Sequence, residues 1–241
     1  MKILITNDDG IRAEGLEILA RWARKIGEVT IAAPMVEQSG KSHSINIHSP
    51  FSANPVSYPV DGVRAWAVDS TPADCVRFYL ATVEDADIVF SGINRGVNLG
   101  GDIAYSGTVG AVFEASYFGK KAVAFSTFPD SLKAAGSDLD RIWDYVTGNG
   151  LLEKHSLFNI NIPSAPGAEI RITRQGGAYF KDRYEEISPG MYIARGYCVH
   201  DGGADMSLDT DALMSGCVSI SPLSPARTDE TVFRHLTGME C

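Results

Sequence analysis

The chain has 241 residues, of which 44% are hydrophobic and 21% are charged, and its formal net charge is −9. This length allows one α/β domain with a sizeable core. The acidic balance argues against nucleic-acid binding, because affinity for a phosphate backbone comes from clustered Lys and Arg. No apolar run approaches the ~20 residues that cross a bilayer, and the N-terminus has no small-residue cleavage site. We therefore expect a cytoplasmic protein without a membrane partner.

Strand and helix patterns alternate along the first part of the chain. Short apolar runs, typical of strands buried on both faces, occur at 2–6, 29–33, 64–68, 87–91 and 121–126. Helical patterns lie between them, at about 16–23, 73–83 and 106–119. This alternation predicts a doubly wound, mostly parallel, Rossmann-like α/β sheet.

The pattern changes beyond about residue 130. We expect a helix around 137–148, strands at 157–162, 169–174 and 217–221, and short helices near 208–215 and 229–238. Residues 175–205 are rich in glycine and aromatic residues and have no helical period, which predicts an extended hairpin arm outside the sheet. We expect one domain over 1–241, in which 1–130 form the Rossmann-like core and 131–241 complete it.

Three polar loops should meet at one edge of this sheet. In open parallel sheets a ligand binds outside the carboxyl ends of the strands, where the strand order reverses. This rule selects the loops 7–10, 34–44 and 92–108. Each of these loops contains side chains that can carry chemistry.

The first loop carries Asp8 and Asp9 directly after a predicted strand. Two adjacent carboxylates repel each other unless a cation lies between them or solvent separates them. The pair argues against a dinucleotide fold, whose first turn needs GxGxxG so that backbone amides reach a pyrophosphate. From position alone, a turn with an Asp N-cap explains the two residues equally well.

The second loop contains Ser39, followed by a Gly40-Lys41-Ser42 triplet that imitates the end of a P-loop. We reject a P-loop because its first glycine would fall at Met35. In addition, residues 44–48 alternate like a strand rather than continuing as a helix. Ser39 by itself is more often an ordinary loop hydroxyl.

The third loop, SGINRGVNLGGD at 91–102, has four glycines and two asparagines, which predict tight turns with positive φ at some positions. Tyr105-Ser106-Gly107-Thr108 follows immediately before a predicted helix, where unpaired N–H groups and two hydroxyls can bind an oxyanion. A plain Ser or Thr N-cap is the simpler alternative. Together the loops offer hard oxygen ligands, which select Mg²⁺, Mn²⁺ or Ca²⁺ rather than zinc.

The sequence resembles the SurE family, known as survival protein E and as 5′/3′-nucleotidase. The most specific segments are ILITNDDG (3–10), SGINRGVNLG (91–100) and YSGTVGAVFEA (105–115), and 33–42, 70–76, 158–163 and 218–223 match in the same order. One departure is Ser70, where the family usually has glycine. The resemblance implies a metal-dependent phosphatase that hydrolyses nucleoside monophosphates. It also implies activity on 3′-nucleotides and short polyphosphate.

The resemblance also implies a set of site residues. One divalent ion, Mg²⁺ or Mn²⁺, would be held by Asp8, Asp9, Ser39 and Asn94, of which the two aspartates are also the catalytic residues. A phosphate pocket would be lined by Gly40, Asn98, Ser106, Gly107 and Thr108. We expect the hydroxyls of Ser106 and Thr108 to contact the phosphate while the metal uses other loops. His43 is predicted to be structural or solvent-exposed.

Both the resemblance and the composition of the arm predict a homodimer or homotetramer. The arm at about 175–205 carries large apolar side chains that an isolated hairpin cannot bury, namely Tyr179, Phe180, Tyr184, Met191, Tyr192 and Tyr197. A partner chain that exchanges this hairpin would cover them. The alternative is an arm that folds back over the sheet of its own subunit.

Other function classes have less support in the sequence. A serine hydrolase would need a GxSxG elbow, which the chain lacks, and a haloacid-dehalogenase phosphatase would need DxDxT where the chain has NDDG. The alternative from a different class is a non-catalytic nucleotide-binding stress sensor that uses the same pocket. Loss of a metal ligand would have favoured that alternative, and all four ligands are present.

Overall fold

The computed structural model describes residues 1–239. Its strands are β1 (Lys2–Thr6), β2 (Glu28–Pro34), β3 (Ala53–Val56), β4 (Arg64–Val68), β5 (Ile88–Arg95), β6 (Lys121–Thr127), β7 (Leu157–Ile162), β8 (Ile170–Ile172), β9 (Phe180–Ser188), β10 (Met191–Cys198) and β11 (Val218–Pro222). Its helices are α1 (Glu14–Ala23), α2 (Pro72–Thr82), α3 (Gly107–Tyr117), α4 (Leu132–Gly148), α5 (Leu151–Lys154), α6 (Asp209–Met214) and α7 (Glu230–Thr237), with a 3₁₀ helix over Gly100–Tyr105. Within 1–239, no helix combines the length and the apolar character that crossing a membrane requires.

One large sheet organises the fold. Its strand order is β3-β4-β2-β1-β5-β6-β7-β11-β8. All neighbours from β4 to β7 are parallel, as are β11 and β8, whereas β3 with β4 and β7 with β11 are antiparallel. The predicted, mostly parallel α/β sheet is thus confirmed. Strand β1 lies between β2 and β5, so the chain continues to opposite sides of β1, and the carboxyl ends of these strands form the switch point.

Alternate residues of β1 explain how helices cover both faces of this sheet. Ile3 and Ile5 belong to the apolar cluster that contains the buried faces of α1 and α4. Leu4 belongs to a second cluster, which contains the buried faces of α2 and α3. Because side chains of a strand alternate between faces, a continuous apolar run such as 3–5 requires helices on both sides.

An aromatic cluster fills the core under α1 and α4. The ring of Phe90 lies 5.3 Å from that of Trp143, 5.5 Å from Phe125 and 5.8 Å from Trp22. The indole N–H of Trp22 donates to Asp140 at 2.9 Å, so the polar atom of this ring has a partner. The Phe125 and Trp143 rings pack edge-to-face on Phe90, an arrangement that adds to the free energy gained by burial alone.

Two expectations about local structure differ from what the structure shows. Residues 44–48, whose alternation predicted a strand, have no strand hydrogen bonding. Backbone N–H groups in and next to this segment donate to side chains instead of to a neighbouring strand. The Asn46 N–H donates to Asp74, and the Ser49 N–H donates to the Asn46 side chain. Helix α4 begins at Leu132, five residues before the predicted start at about 137.

The predicted hairpin arm is present outside the main sheet. Strands β9 and β10 pair antiparallel in a sheet of their own, and all residues of both strands are exposed. Tyr179 differs from the expectation, because it is buried beside Leu99 and Leu213 of its own chain and needs no partner chain to cover it. The ring of Tyr179 therefore anchors the base of the arm.

We predict that Phe90→Ala lowers the free energy of unfolding by about 3–5 kcal/mol, the usual range for removing a buried phenyl ring. Phe90 is fully buried and contacts three other rings, so the substitution leaves a cavity that the neighbours cannot close. Urea unfolding measures the change. Tyr117→Ala, at a ring that is 68% exposed and lies outside the arm and α7, is the matched control and should change stability by less than about 1 kcal/mol. Equal losses in the two variants would contradict the prediction.

Candidate active site

The first loop is held by the side chain of Asn7. Its amide nitrogen donates to the Gly10 carbonyl at 3.0 Å, and its amide oxygen accepts the Gly10 N–H at 3.2 Å. Gly10 has φ +101°, a conformation that side-chain-bearing residues rarely adopt. This turn places Asp8 and Asp9 just beyond the end of β1, at the switch point of the sheet.

Asp8 is buried against the start of α3. Its carboxylate accepts a hydrogen bond of 2.5 Å from the Thr108 hydroxyl. A Cβ atom at Gly107 would lie 2.9 Å from the Asp8 Cβ, so only glycine permits this approach. The pKa of the Asp8 carboxyl is raised to about 6, first by burial and then by the charge of Asp9, while the Thr108 hydrogen bond acts in the opposite direction. An adjacent positive charge would relieve both the burial cost and the repulsion.

Asp9 is half-buried and held by the backbone of β5. Its Oδ2 accepts the Arg95 backbone N–H at 3.0 Å. Burial raises the pKa of Asp9, the Arg95 N–H lowers it, and the negative charge of Glu37 raises it again. Among residues 1–239, neither Asp8 nor Asp9 forms a salt bridge with a side chain. The Arg95 charge lowers the pKa of Asp9 from a distance, but within the described chain neither carboxylate has a paired cation in direct contact.

Ser39 and Asn94 present oxygen atoms on the same side of the sheet. The amide nitrogen of Asn94 donates to the Gly96 carbonyl at 2.8 Å, which leaves the amide oxygen to act as an acceptor. The Ser39 hydroxyl donates to Glu37 at 2.7 Å, so its lone pairs are available. Each side chain can therefore offer one neutral oxygen to a ligand.

An open cleft of about 510 Å³ brings the predicted residues together. Its lining includes all four predicted metal ligands, Asp8, Asp9, Ser39 and Asn94, and three of the predicted phosphate-binding residues, Gly40, Asn98 and Ser106. Gly107 and Thr108 are buried next to Asp8 rather than at the surface of the cleft. The three loops selected from the sequence therefore do converge.

The two hydroxyls at the start of α3 have roles that differ from the expectation. The Ser106 hydroxyl accepts the Val109 N–H at 3.1 Å, which is the N-cap alternative. The Thr108 hydroxyl donates to Asp8, so the expectation that this hydroxyl acts apart from the metal loops is wrong. The reason is that Gly107 lets α3 approach the first loop closely.

Asparagines on β7 fix the position of Asn98, and sequence reasoning missed them. The Asn98 N–H donates to Asn161, and the Asn98 carbonyl accepts the side-chain amides of Asn159 and Asn161, all at 2.8 Å. The Asn98 side chain in turn donates to Ser126 at 2.8 Å. The available signal was the alternation of asparagine with apolar residues in FNINI, a pattern that places amides on one face of a buried strand.

Arg95 was also missed as a site residue. Its side chain lines the cleft, is exposed, and donates through Nε to the Pro129 carbonyl at 3.3 Å. Its position between Asn94 and Gly96 of the third loop was the available signal. His43 has the structural role expected for it, because its Nε2 lies 2.8 Å from Glu114 and its ring stacks on Tyr117.

The donor set of the cleft suits a hard divalent cation. In the part of the chain that the structure describes, no three His, Cys, Asp or Glu side chains cluster as a metal site. A cation at the cleft would therefore take two carboxylates and complete its shell with neutral oxygens, such as those of Ser39 and Asn94. Such an all-oxygen shell is the preference of Mg²⁺ and Mn²⁺. The residues present thus fit a divalent ion of this class.

Comparison with known proteins gives one consistent result. Residues 3–182 match the family model described as Survival protein SurE. A protein from Gemmatimonas aurantiaca named 5′-nucleotidase SurE is 38% identical over 92% of each chain. Another of that name, from Thermosipho melanesiensis, is 34% identical over 98% of this chain and 96% of its own length. The crystal structure of SurE protein from Aquifex aeolicus superposes with a TM-score of 0.82 at 29% identity, covering 100% of both chains.

These matches extend beyond the site to the whole fold, and they include the segments that carry Asp8, Asp9, Ser39 and Asn94. The sequence motifs, the strand order and the convergence of three polar loops lead to the same assignment. The chain belongs to the SurE family.

Proposed function

We propose that this chain is a metal-dependent 5′-nucleotidase, a phosphatase that hydrolyses nucleoside monophosphates. The observation that carries the proposal is the buried Asp8 carboxylate beside Asp9, in a cleft that also presents the neutral oxygens of Ser39 and Asn94. The name 5′-nucleotidase SurE of relatives at 34–39% identity supports it. The family resemblance also supports activity on 3′-nucleotides and short polyphosphate, and the cytoplasmic location stays a prediction.

The metal ligands proposed are Asp8, Asp9, Ser39 and Asn94. Two carboxylates neutralise a divalent ion, while the hydroxyl and the amide add no charge. When bound, such an ion supplies Lewis acidity toward a phosphoryl oxygen and toward the attacking water. Thr108 holds the Asp8 carboxylate in one orientation, and the Arg95 N–H does the same for Asp9.

The phosphate is proposed to lie against Gly40, Asn98 and the start of α3. Ser106 caps this helix, and Gly107 and Thr108 form its first turn, so the positive end of the helix dipole lies beside the cleft. The Arg95 guanidinium adds a positive charge on the cleft wall. Phosphoryl transfer depends mainly on positioning and charge stabilisation, which these groups provide.

A homo-oligomer, dimeric or tetrameric, is part of the proposal. The arm exposes large apolar side chains, with Tyr184 at 74%, Tyr192 at 61% and Met191 at 60%. The terminal helix α7 has no buried residue, and its Leu236 is 77% exposed. So many exposed large apolar side chains are uncommon on monomers, and a second copy of the chain would cover them.

We predict that phosphate release from nucleoside 5′-monophosphates stops after chelation and returns on addition of Mn²⁺ or Mg²⁺. Asp9→Asn keeps the shape of the side chain but removes a charge, so turnover should fall ~100-fold or more, as for other charge-stabilising groups. Asp61→Asn, at an exposed turn, is the matched control and should keep full activity. A panel of 5′- and 3′-nucleotides measures both effects. Nucleotide binding without phosphate release would favour the sensor alternative.

We predict that Thr108→Val weakens Mn²⁺ binding about 10- to 100-fold, the usual effect of removing a hydrogen bond that orients a metal ligand. The variant keeps the volume of the side chain but removes the hydroxyl that donates to Asp8. Titration calorimetry with Mn²⁺ measures the affinity. Thr108→Ser retains the hydroxyl and should bind Mn²⁺ nearly as tightly as the native protein. Unchanged affinity in Thr108→Val would show that this hydrogen bond does not orient the ligand.

We predict that the full chain is a dimer or tetramer and that removing the arm reduces the assembly. Lys181 and Tyr197 face each other across β9 and β10, so a short Gly/Ser linker can join them in place of 182–196. Because the removed residues are exposed, the core should keep its melting temperature. Light scattering measures the mass of both proteins. A monomeric full chain, or an assembly unchanged by the deletion, would count against a role of the arm.

A further inference from the structure

A second cleft adjoins the candidate active site. It has a volume of about 820 Å³ and shares Gly40, Asp102 and Tyr105 with the first cleft. Its opposite wall is formed by the base of the arm, with Ala178, Phe180, Lys181, Asp182 and Gly196. Because three residues line both clefts, a ligand held at Asp8 and Asp9 can extend directly into the second one. The volume lies in the range typical of small-molecule sites.

Two aromatic rings border this second cleft on different elements. Tyr105 is 68% exposed and ends the 3₁₀ helix, and Phe180 is 44% exposed and begins β9. An aromatic ring offers its face to any purine or pyrimidine, and such stacking contributes to binding whatever the base. The position of Tyr105, directly before Ser106, puts one ring next to the start of α3.

Hydrogen bonds hold the two walls of the second cleft at a fixed separation. The Phe180 N–H donates to Asp102 at 2.7 Å, and the Gly101 N–H donates to the Gly177 carbonyl at 3.0 Å. The buried Asp209 carboxylate accepts N–H groups from both sides, Gly100 at 3.0 Å and Gly176 at 2.8 Å. The base of the arm and the 3₁₀ helix therefore form one unit, and the cleft does not need to be assembled by its ligand.

Polar side chains in the second cleft can pair with the edge of a base. Asp102 lines both clefts, and the second cleft adds the carboxylate of Asp182 and one cation, Lys181. The amino groups of a base can donate hydrogen bonds to these carboxylates, and its ring nitrogens can accept one from Lys181.

From these observations we propose that the second cleft binds the nucleobase of the substrate, stacked on Tyr105 and Phe180. This rests on the proposed nucleotidase function, since the phosphate of the same molecule lies in the first cleft. Recognition through ring faces is tolerant of base identity, so purine and pyrimidine nucleotides are both accommodated. Tyr105 and Phe180 thus set the preference for nucleotides over phosphate esters that lack a base.

The test compares two substrates that differ only in the base, adenosine 5′-monophosphate and ribose 5-phosphate. Tyr105→Ala should raise the KM for the nucleotide about 5- to 100-fold, as expected for loss of base stacking, with kcat nearly unchanged. The kinetics on ribose 5-phosphate should not change. Tyr105→Phe keeps the ring face and should behave like the native protein. Tyr117→Ala is the matched control, because Tyr117 is also 68% exposed but lines neither cleft.

Phe180→Ala should give the same pattern, with light scattering confirming an unchanged assembly. Equal losses on both substrates, or no change on either, would overturn the base subsite. Titration calorimetry with adenosine 5′-monophosphate separates this result from failure of the proposed function. If the native protein hydrolyses neither substrate, the nucleotidase proposal fails. In that case the base subsite still stands if Tyr105→Ala binds adenosine 5′-monophosphate more weakly than the native protein does. It is overturned if the two proteins bind this nucleotide equally well.

Discussion

The Asp8 carboxylate lies buried at the carboxyl end of β1, and the free-energy cost of charging it there governs the arrangement of the loops around it. Burial and the like charge of Asp9 beside it together raise its pKa to about 6. The chain offsets this cost with the Thr108 hydroxyl and with the positive end of α3. Neither supplies a full positive charge, so a cation between the two aspartates is the natural complement of the site.

The strand order explains why the other proposed metal ligands lie near this carboxylate. Strand β1 has β2 on one side and β5 on the other, all parallel, so the loops that follow them leave the sheet at the same edge. Ser39 lies on the loop after β2, and Asn94 lies near the end of β5. The buried strand β1 can be followed by Asp8 and Asp9 because, at this edge of the sheet, the neighbouring loops supply polar groups that contact them.

The residues of the cleft were accessible to sequence reasoning because they form polar clusters at the ends of predicted strands, as Asp8 and Asn94 do. The contacts between these clusters could not be predicted from the sequence. Thr108 donates to a residue 100 positions away, and only the approach of α3 reveals that bond. Tyr179 belongs to a segment whose composition predicted an exposed arm, but its ring is buried by packing on residues that are distant in the sequence. In 44–48, side-chain hydrogen bonds to the backbone overrode an alternating pattern that predicted a strand.

Hydrogen bonds connect the base of the arm to the wall of the candidate active-site cleft. Asp102 lies in the 3₁₀ helix that leads into Ser106, and it also accepts the N–H of Phe180 at the start of the arm. The Asp209 carboxylate connects the same two segments, because it accepts the N–H groups of both Gly100 and Gly176. Any contact that fixes the arm, such as one with a second copy of the chain, therefore acts on residues that border the proposed phosphate site. Assembly and substrate binding would then be thermodynamically coupled, each strengthening the other to the extent that the arm has one preferred position.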